Sequence, residues 1–128
     1  MSYLLDASAV LAALFDEPGA EFVYAQLNDS QMSVVNLSEV YATLMDGGMS
    51  FDKASELVRA LPMRLRTYRE AHAWKTAELR GVTKSLGLSL GDRACLAHAM
   101  MADLPILTSD RRLAQASELV GHEIRMIR

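Results

Sequence analysis

The chain has 128 residues, 51% of them apolar, and a net charge of −3. That size fits one domain with a real core, and no apolar run is long enough to cross a bilayer. The slight acidity argues against a protein that coats nucleic acid by bulk charge, but not against a nuclease whose acids gather at a metal ion. A lone cysteine, Cys95, excludes an internal disulfide and fits a reducing cytoplasm. Met1 to Asp6 lacks the positive start of a signal peptide, so none is expected.

Tyr3 to Leu5 reads as a short buried strand, and Ala7 to Phe15, rich in Ala and Leu, as a helix. Glu17-Pro18-Gly19 stops it. Ala20 to Leu27 carries Phe22, Val23 and Leu27 at helical spacing, and Asn28-Asp29-Ser30 is a turn cluster. Met32 to Val35 is a second short strand. Asn36 then opens a helix that runs to Leu44 or Met45 and breaks at Gly47-Gly48. Phe51 to Leu61 is the next helix, closed before Pro62, and the short connection makes the two a hairpin. Arg64 to Tyr68 reads as a third strand, Glu70 to Leu86 as a long helix, and Gly87 to Gly91 as a loop. Asp92 to Ala102 is a strongly apolar helix and Pro105 to Thr108 a fourth strand. Asp110 opens a short helix through Ala116, and Glu123 to Ile127 is a last strand at the edge.

Strands alternating with helices imply an α/β fold with a parallel sheet covered on both faces. Ligands of such sheets sit beyond the carboxyl ends of the strands, and that edge collects acids. Asp6 ends the first strand, Glu39 lies one helical turn past the second, and Asp110 follows the fourth. Asp92 starts the helix that feeds strand four, and reaches the same edge if that helix begins there.

Each acid alone also has a structural explanation. Asp6, Asp92 and Asp110 stand where helix N-caps are favoured, and Asn36-Leu37-Ser38-Glu39 fits a capping box. Taken jointly, four carboxylates at one edge repel one another and raise each other's pKa values. A hard divalent cation removes that conflict, and oxygen ligands of this kind suit magnesium or manganese. Ser8 and Ser109, beside two of the acids, are supporting candidates that could orient a carboxylate or a metal-bound water; local bonding to backbone explains them equally well. Arg93 and Arg111 could hold a phosphate, though solvated surface arginine is the simpler reading of both. Arg64, Arg66 and Arg69 are candidates for a basic rim toward nucleic acid.

Other chemistries fit less well. His72, His98 and His122 are far apart and lack metal-ligand spacing, and His98 reads as a partly buried helix residue. Cys95 sits inside an apolar helix, so it reads as core rather than nucleophile. There is no glycine-rich phosphate loop, and Ser8 lacks a nucleophile elbow. A phosphotransfer domain would want adjacent acids after the first strand and a lysine after a late strand, and has neither.

Four blocks, Leu4-Leu5-Asp6-Ala7-Ser8-Ala9, Asn36-Leu37-Ser38-Glu39-Val40, Leu90-Gly91-Asp92-Arg93-Ala94-Cys95-Leu96-Ala97 and Leu107-Thr108-Ser109-Asp110, together resemble the PIN-domain ribonucleases. The resemblance spans essentially the whole chain and is strongest to the VapC toxins of bacterial toxin–antitoxin pairs, which the segment Phe15 to Glu21 also resembles. It implies a three-layer α/β/α sandwich with a mainly parallel central sheet, one domain over residues 1–128. It also implies hydrolysis of an RNA phosphodiester with magnesium or manganese, in the cytoplasm. Asp6, Glu39, Asp92 and Asp110 match the family's acidic cluster, and Ser109 a position that often holds a small hydroxyl or Asn.

Asp6 and Asp92 would be the principal metal ligands. Glu39 and Asp110 would hold metal-bound waters or a second ion, or help deprotonate the nucleophile. The resemblance further implies a homodimer, inhibition by a small antitoxin that covers the groove, operator DNA reached only through that antitoxin, and no membrane. His98 and the pair Met100-Met101 depart from the aliphatic residues expected there. The alternative is a non-catalytic module of the same fold, acting through an antitoxin or nucleic-acid complex. The hairpin from Leu37 to Leu61, with Leu44, Met45, Met49, Phe51 and Leu57, could offer such a partner an apolar groove, and core packing competes for the same side chains.

Overall fold

Strand β1 is only Leu4–Leu5, yet the rest of the molecule is laid out around it. In a computed structural model that describes residues 1–128, the chain continues through α1 (Ala7–Leu14), α2 (Ala20–Gln26), β2 (Gln31–Ser33), α3 (Val34–Asp46) and α4 (Phe51–Arg59). It then forms β3 (Arg64–Arg66), α5 (Glu70–Thr83), α6 (Leu90–Ala102), β4 (Ile106–Thr108), α7 (Arg111–Ala114), α8 (Ala116–Val120) and β5 (Ile124–Met126). The five strands form one sheet in the order β3-β2-β1-β4-β5. Every pairing is parallel, with Leu4 opposite Gln31 and Ile106, and Leu5 opposite Leu107.

Side chains alternate across a strand, and this divides the core. Leu5 and Leu107 face α1 to α4, joining Val10, Val23, Val40, Leu44 and Val58. Leu4 and Ile106 face the other way, onto α5 to α8, with Leu79, Cys95, Leu96 and Leu113. All four strand residues are fully buried, each worth roughly 1.5–3 kcal/mol of apolar burial. The result is a three-layer α/β/α sandwich. The outer strands β3 and β5 carry Arg64, Arg66 and Arg125, charges that keep a bare edge from pairing with another chain. The hairpin of α3 and α4 forms as the sequence implies, with the Tyr41 and Phe51 ring centroids 5.3 Å apart.

Two helix starts differ from the sequence reading, and serine is the cause both times. β2 ends at Ser33, not Val35, because the Ser33 hydroxyl accepts from the Val35 N–H at 3.2 Å and caps α3. A cap outweighs the β preference of two valines. Asn36 is thus inside α3 and forms no capping box. α6 begins at Leu90, not Asp92. Ser89 Oγ accepts from the Asp92 N–H at 3.1 Å, and Asp92 Oδ2 accepts from the Ser89 N–H at 3.0 Å, a reciprocal capping box. Leu90 and Gly91, read from sequence as loop, are the first turn of that helix. The segment after Asp110 is two short helices that meet at Gln115 rather than one.

Candidate metal centre

Asp6 leaves the carboxyl end of β1 and is 4% exposed. It does not cap α1 with its side chain. Its Oδ2 accepts instead from Ser8 Oγ at 2.6 Å and from Thr108 Oγ1 at 2.9 Å. Thr108 closes β4, the neighbouring strand, and is fully buried. The same Thr108 oxygen accepts from the Asp110 N–H at 2.9 Å, and Ser8 Oγ accepts from the Ser109 N–H at 2.9 Å. A small hydroxyl network therefore ties the ends of β1 and β4 together around one carboxylate. Ser8 orients the Asp6 carboxylate and also accepts from backbone. Ser109 contributes its backbone N–H, whereas its hydroxyl bonds no acid.

Glu39 projects from α3 toward the first turn of α6. Asn36 Nδ2 donates both to Glu39 Oε1 at 2.7 Å and to the Gly91 carbonyl at 3.1 Å, so one buried amide joins the two helices. A Cβ at Gly91 would collide with the Glu39 carboxyl group, lying 2.6 Å from Oε1. Glycine is needed here for close approach. Asp92 follows directly, held by its capping box. Asp110 is the N-cap of α7, its Oδ1 accepting from the Arg112 N–H at 2.9 Å.

Two of the acids feel the charges of their neighbours. Burial pushes the Asp6 pKa up, opposed by the hydrogen bonds from Ser8 and Thr108 and reinforced by the charges of Asp92 and Asp110. Glu39 is raised by burial, opposed by Asn36 and reinforced by Asp6 and Asp92. No ion pair relieves them. The three in the molecule join Lys53 to Glu56, Lys75 to Glu78 and Arg128 to Glu17. Cys95 lies fully buried behind the cluster, its thiol pushed well up by burial and by Asp6, Asp92 and Glu39, which keeps it protonated and makes it core.

Each carboxylate has one oxygen held by the protein and one that takes no protein hydrogen bond. The held atoms are Asp6 Oδ2, Glu39 Oε1, Asp92 Oδ2 and Asp110 Oδ1. Four oxygens thus remain for a ligand, and their hard, anionic character fits a divalent cation. The side chains do not stand as a finished ligand set: no three His, Cys, Asp or Glu are drawn together closely enough to hold a metal directly. Magnesium retains several waters and needs only one or two carboxylates, so the donor set still fits that ion.

Three supporting residues escaped the sequence reading. Thr108 looked like an ordinary strand residue, although a hydroxyl ending an apolar run beside an acid is a usable signal. Asn36 looked like a cap, although its spacing to Glu39 is helical. Gly91 looked like loop. Arg93 is not the solvated surface arginine expected. It is half-buried, donating from Nη1 to the Thr76 carbonyl at 3.1 Å, and its Nε is sealed without a partner. Arg111 is exposed, as expected. His72 and His98, distant in sequence, are stacked in space with centroids 4.5 Å apart.

A five-stranded parallel α/β sandwich with an acidic carboxyl edge is the class defined by this fold and site. The chain belongs to the PIN domain family, which its sequence matches over residues 3–119. Its fold is similar to DNA-bound VapBC from Salmonella typhimurium, with TM-score 0.78 and 15% identity over 100% of this chain and 99% of that one. It is also similar to VapBC-1 from nontypeable Haemophilus influenzae, with TM-score 0.73 and 17% identity over 99% and 98%. A third similar structure is VapBC-5 from Mycobacterium tuberculosis, of the VapBC family of toxin–antitoxin systems, with TM-score 0.61 and 21% identity over 99% and 98%. At these identities the likeness is one of fold. No curated protein gives a significant match.

Proposed function

We propose that this protein is a metal-dependent endoribonuclease that hydrolyses RNA phosphodiester bonds, and the VapC-type toxin of a type II toxin–antitoxin pair. The observation that carries the reading is the acidic edge: four carboxylates from four segments, each with one unbonded oxygen and none with a cationic partner. Membership of the PIN family, whose domains are generally nucleases, supports it. The toxin role rests on similarity of fold to a member of a toxin–antitoxin family.

Asp6 Oδ1 and the free oxygen of Asp92 would hold magnesium or manganese. The bound cation supplies polarisation of the phosphoryl group and a lowered pKa for the attacking water. Ser8 and Thr108 fix the Asp6 carboxylate so that its other oxygen faces the site. Asn36 and Gly91 do the same for Glu39, whose unbonded oxygen is the acceptor for the proton of the attacking water. Asp110, anchored by its cap, accepts hydrogen bonds from water on the β4 side. Water adds to phosphorus, the bond to the leaving sugar oxygen breaks, and that oxygen takes a proton from solvent. The strand would enter single-stranded or with its bases splayed wherever cleavage shows a sequence preference, because side chains cannot read the bases of an RNA duplex.

The antitoxin and dimer assignments belong to the same proposal, with operator DNA reached only through the antitoxin. An apolar groove of about 410 Å³ between α3, α4 and β3, lined by Leu37, Tyr41, Val58, Leu61, Met63 and Leu65, favours a partner helix. It equally favours the second reading, a binding module without catalysis. No helix is long and apolar enough to cross a membrane.

Purified protein incubated with single-stranded RNA separates the two readings. We expect cleavage with magnesium or manganese, arrest by EDTA, and recovery when metal is restored. RNA that stays intact with either metal, in protein shown to be folded, would leave only the binding module.

A further inference from the structure

Behind the sheet, away from the acids, lies a second polar cavity. It has a volume of about 360 Å³ and is lined by Gln31, Arg66, Thr67, Arg69, His72 and His98, with the exposed Met101 and Ala102 beside them. His98 lies six residues along α6 from Asp92, about 9 Å by helical rise. The lining holds two guanidinium groups and two imidazoles and no carboxylate. Neither Arg66 nor Arg69 forms an ion pair.

The imidazoles are built into this wall. His72 is stacked on Tyr68, centroids 5.7 Å apart, and on His98, 4.5 Å apart. With ring faces taken by one another, what remains for a ligand is ring edges. His72 Nδ1 accepts from the Arg69 N–H at 2.9 Å, so the neutral ring carries its proton on Nε2 and is a donor there. His98 lines the cavity although it is only 4% exposed, and its Nδ1 is sealed inside the protein without a partner, so any contact it makes to a ligand is through the rest of the ring. Donors, positive charge and the absence of acceptors with negative charge all select an anion. Two guanidinium forks select one with several oxygens in a plane or tetrahedron.

We propose that this cavity is a phosphate-binding site, distinct from the acidic edge, that takes the phosphate of a mononucleotide or of an RNA strand through Arg66, Arg69, His72 and His98. Burial and the positive charges of His72 and Arg66 hold His98 down to about 4, and burial and Arg69 lower His72. A bound phosphate reverses the sign of that field, so both rings become more basic as it binds.

The test follows the histidine ring protons by NMR in the full chain, metal-free, with ionic strength held by chloride. Inorganic phosphate and a 5′-mononucleotide are the first arm, and a short single-stranded RNA with EDTA the second. We expect His72 and His98 resonances to shift with phosphate and saturate, and their pKa values to rise. Arg66→Gln with Arg69→Gln should weaken this by about tenfold or more, the scale of one charge-assisted contact. Asp92→Asn should leave it unchanged, which separates this site from the metal centre. Saturation by the mononucleotide with no gain from RNA identifies a free nucleotide as the ligand. Tighter RNA binding that falls in the double variant identifies the strand. Resonances that ignore phosphate, or that respond equally in the double variant, overturn the site.

Discussion

Replacing Asp6 by Asn is expected to abolish RNA cleavage, by roughly a thousandfold or more, while making the protein harder to unfold. The loss follows from removing an anionic oxygen that would hold the cation, whose charge stabilisation is worth several kcal/mol in the transition state. The gain follows from burial. Asp6 is pushed above its ordinary value of 3.8, first by desolvation and then by Asp92 and Asp110. The folded chain therefore binds more protons than the unfolded chain between those two pKa values. Stability falls as pH rises through that window, and the full penalty persists above it.

The amide of Asp6→Asn accepts from Ser8 and Thr108 through its oxygen, carries no charge, and turns an N–H toward acidic neighbours. In metal-free buffer above the window its Tm should exceed that of the wild type, and the gap should close toward pH 3.8. Magnesium should raise the Tm of the wild type and not of the variant, because a ligand stabilises only the state that binds it. Thermal unfolding across pH, beside the cleavage assay, checks all three. Retained cleavage, or a variant that melts lower, would remove Asp6 from the centre of the site.

Gly91→Ala is expected to lower cleavage by about 10–100-fold, the usual effect of disturbing a group that orients a metal ligand. The new methyl group would strike the Glu39 carboxyl group. That group ends a flexible side chain, so it can withdraw, breaking the bond from Asn36 and leaving the fold alone. Stability should hold or rise, since alanine is favoured over glycine inside a helix by about 0.5–1 kcal/mol. Urea unfolding and cleavage measured together distinguish the outcomes. Full activity would show that Glu39 need not stand where it does, and a large loss of stability would make the effect structural.

The parts of this molecule that were legible in its sequence are those governed by local rules. Leu4, Leu5, Ile106 and Leu107 read as buried strand because they are continuously apolar, and all four are fully buried. The carboxyl-edge positions of Asp6, Glu39 and Asp110 followed from strand order alone. Helix starts were misread where a serine upstream set the boundary. Ser33 drew two valines into α3, and Ser89 drew Leu90 and Gly91 into α6. What pairs across the sheet or between helices left little trace. Thr108 bonds Asp6 over 102 positions and Asn36 bonds Gly91 over 55. The stack of His72 on His98 depends on how α5 packs on α6, which no spacing within either helix encodes. The mutual repulsion of the acids was inferable once they were placed on one edge. Which oxygen of each was already occupied was not, because that depends on caps and hydroxyls supplied by other segments.

The direct measurement is a crystal of the protein soaked in manganese, with the ion located by its anomalous scattering. One strong peak is expected at the carboxyl edge, roughly 2.0–2.4 Å from oxygens of Asp6 and Asp92, with Glu39 and Asp110 reaching it directly or through water. A protein saturated with manganese whose peaks all lie elsewhere, with Asp6 and Asp92 touching none, would contradict the account.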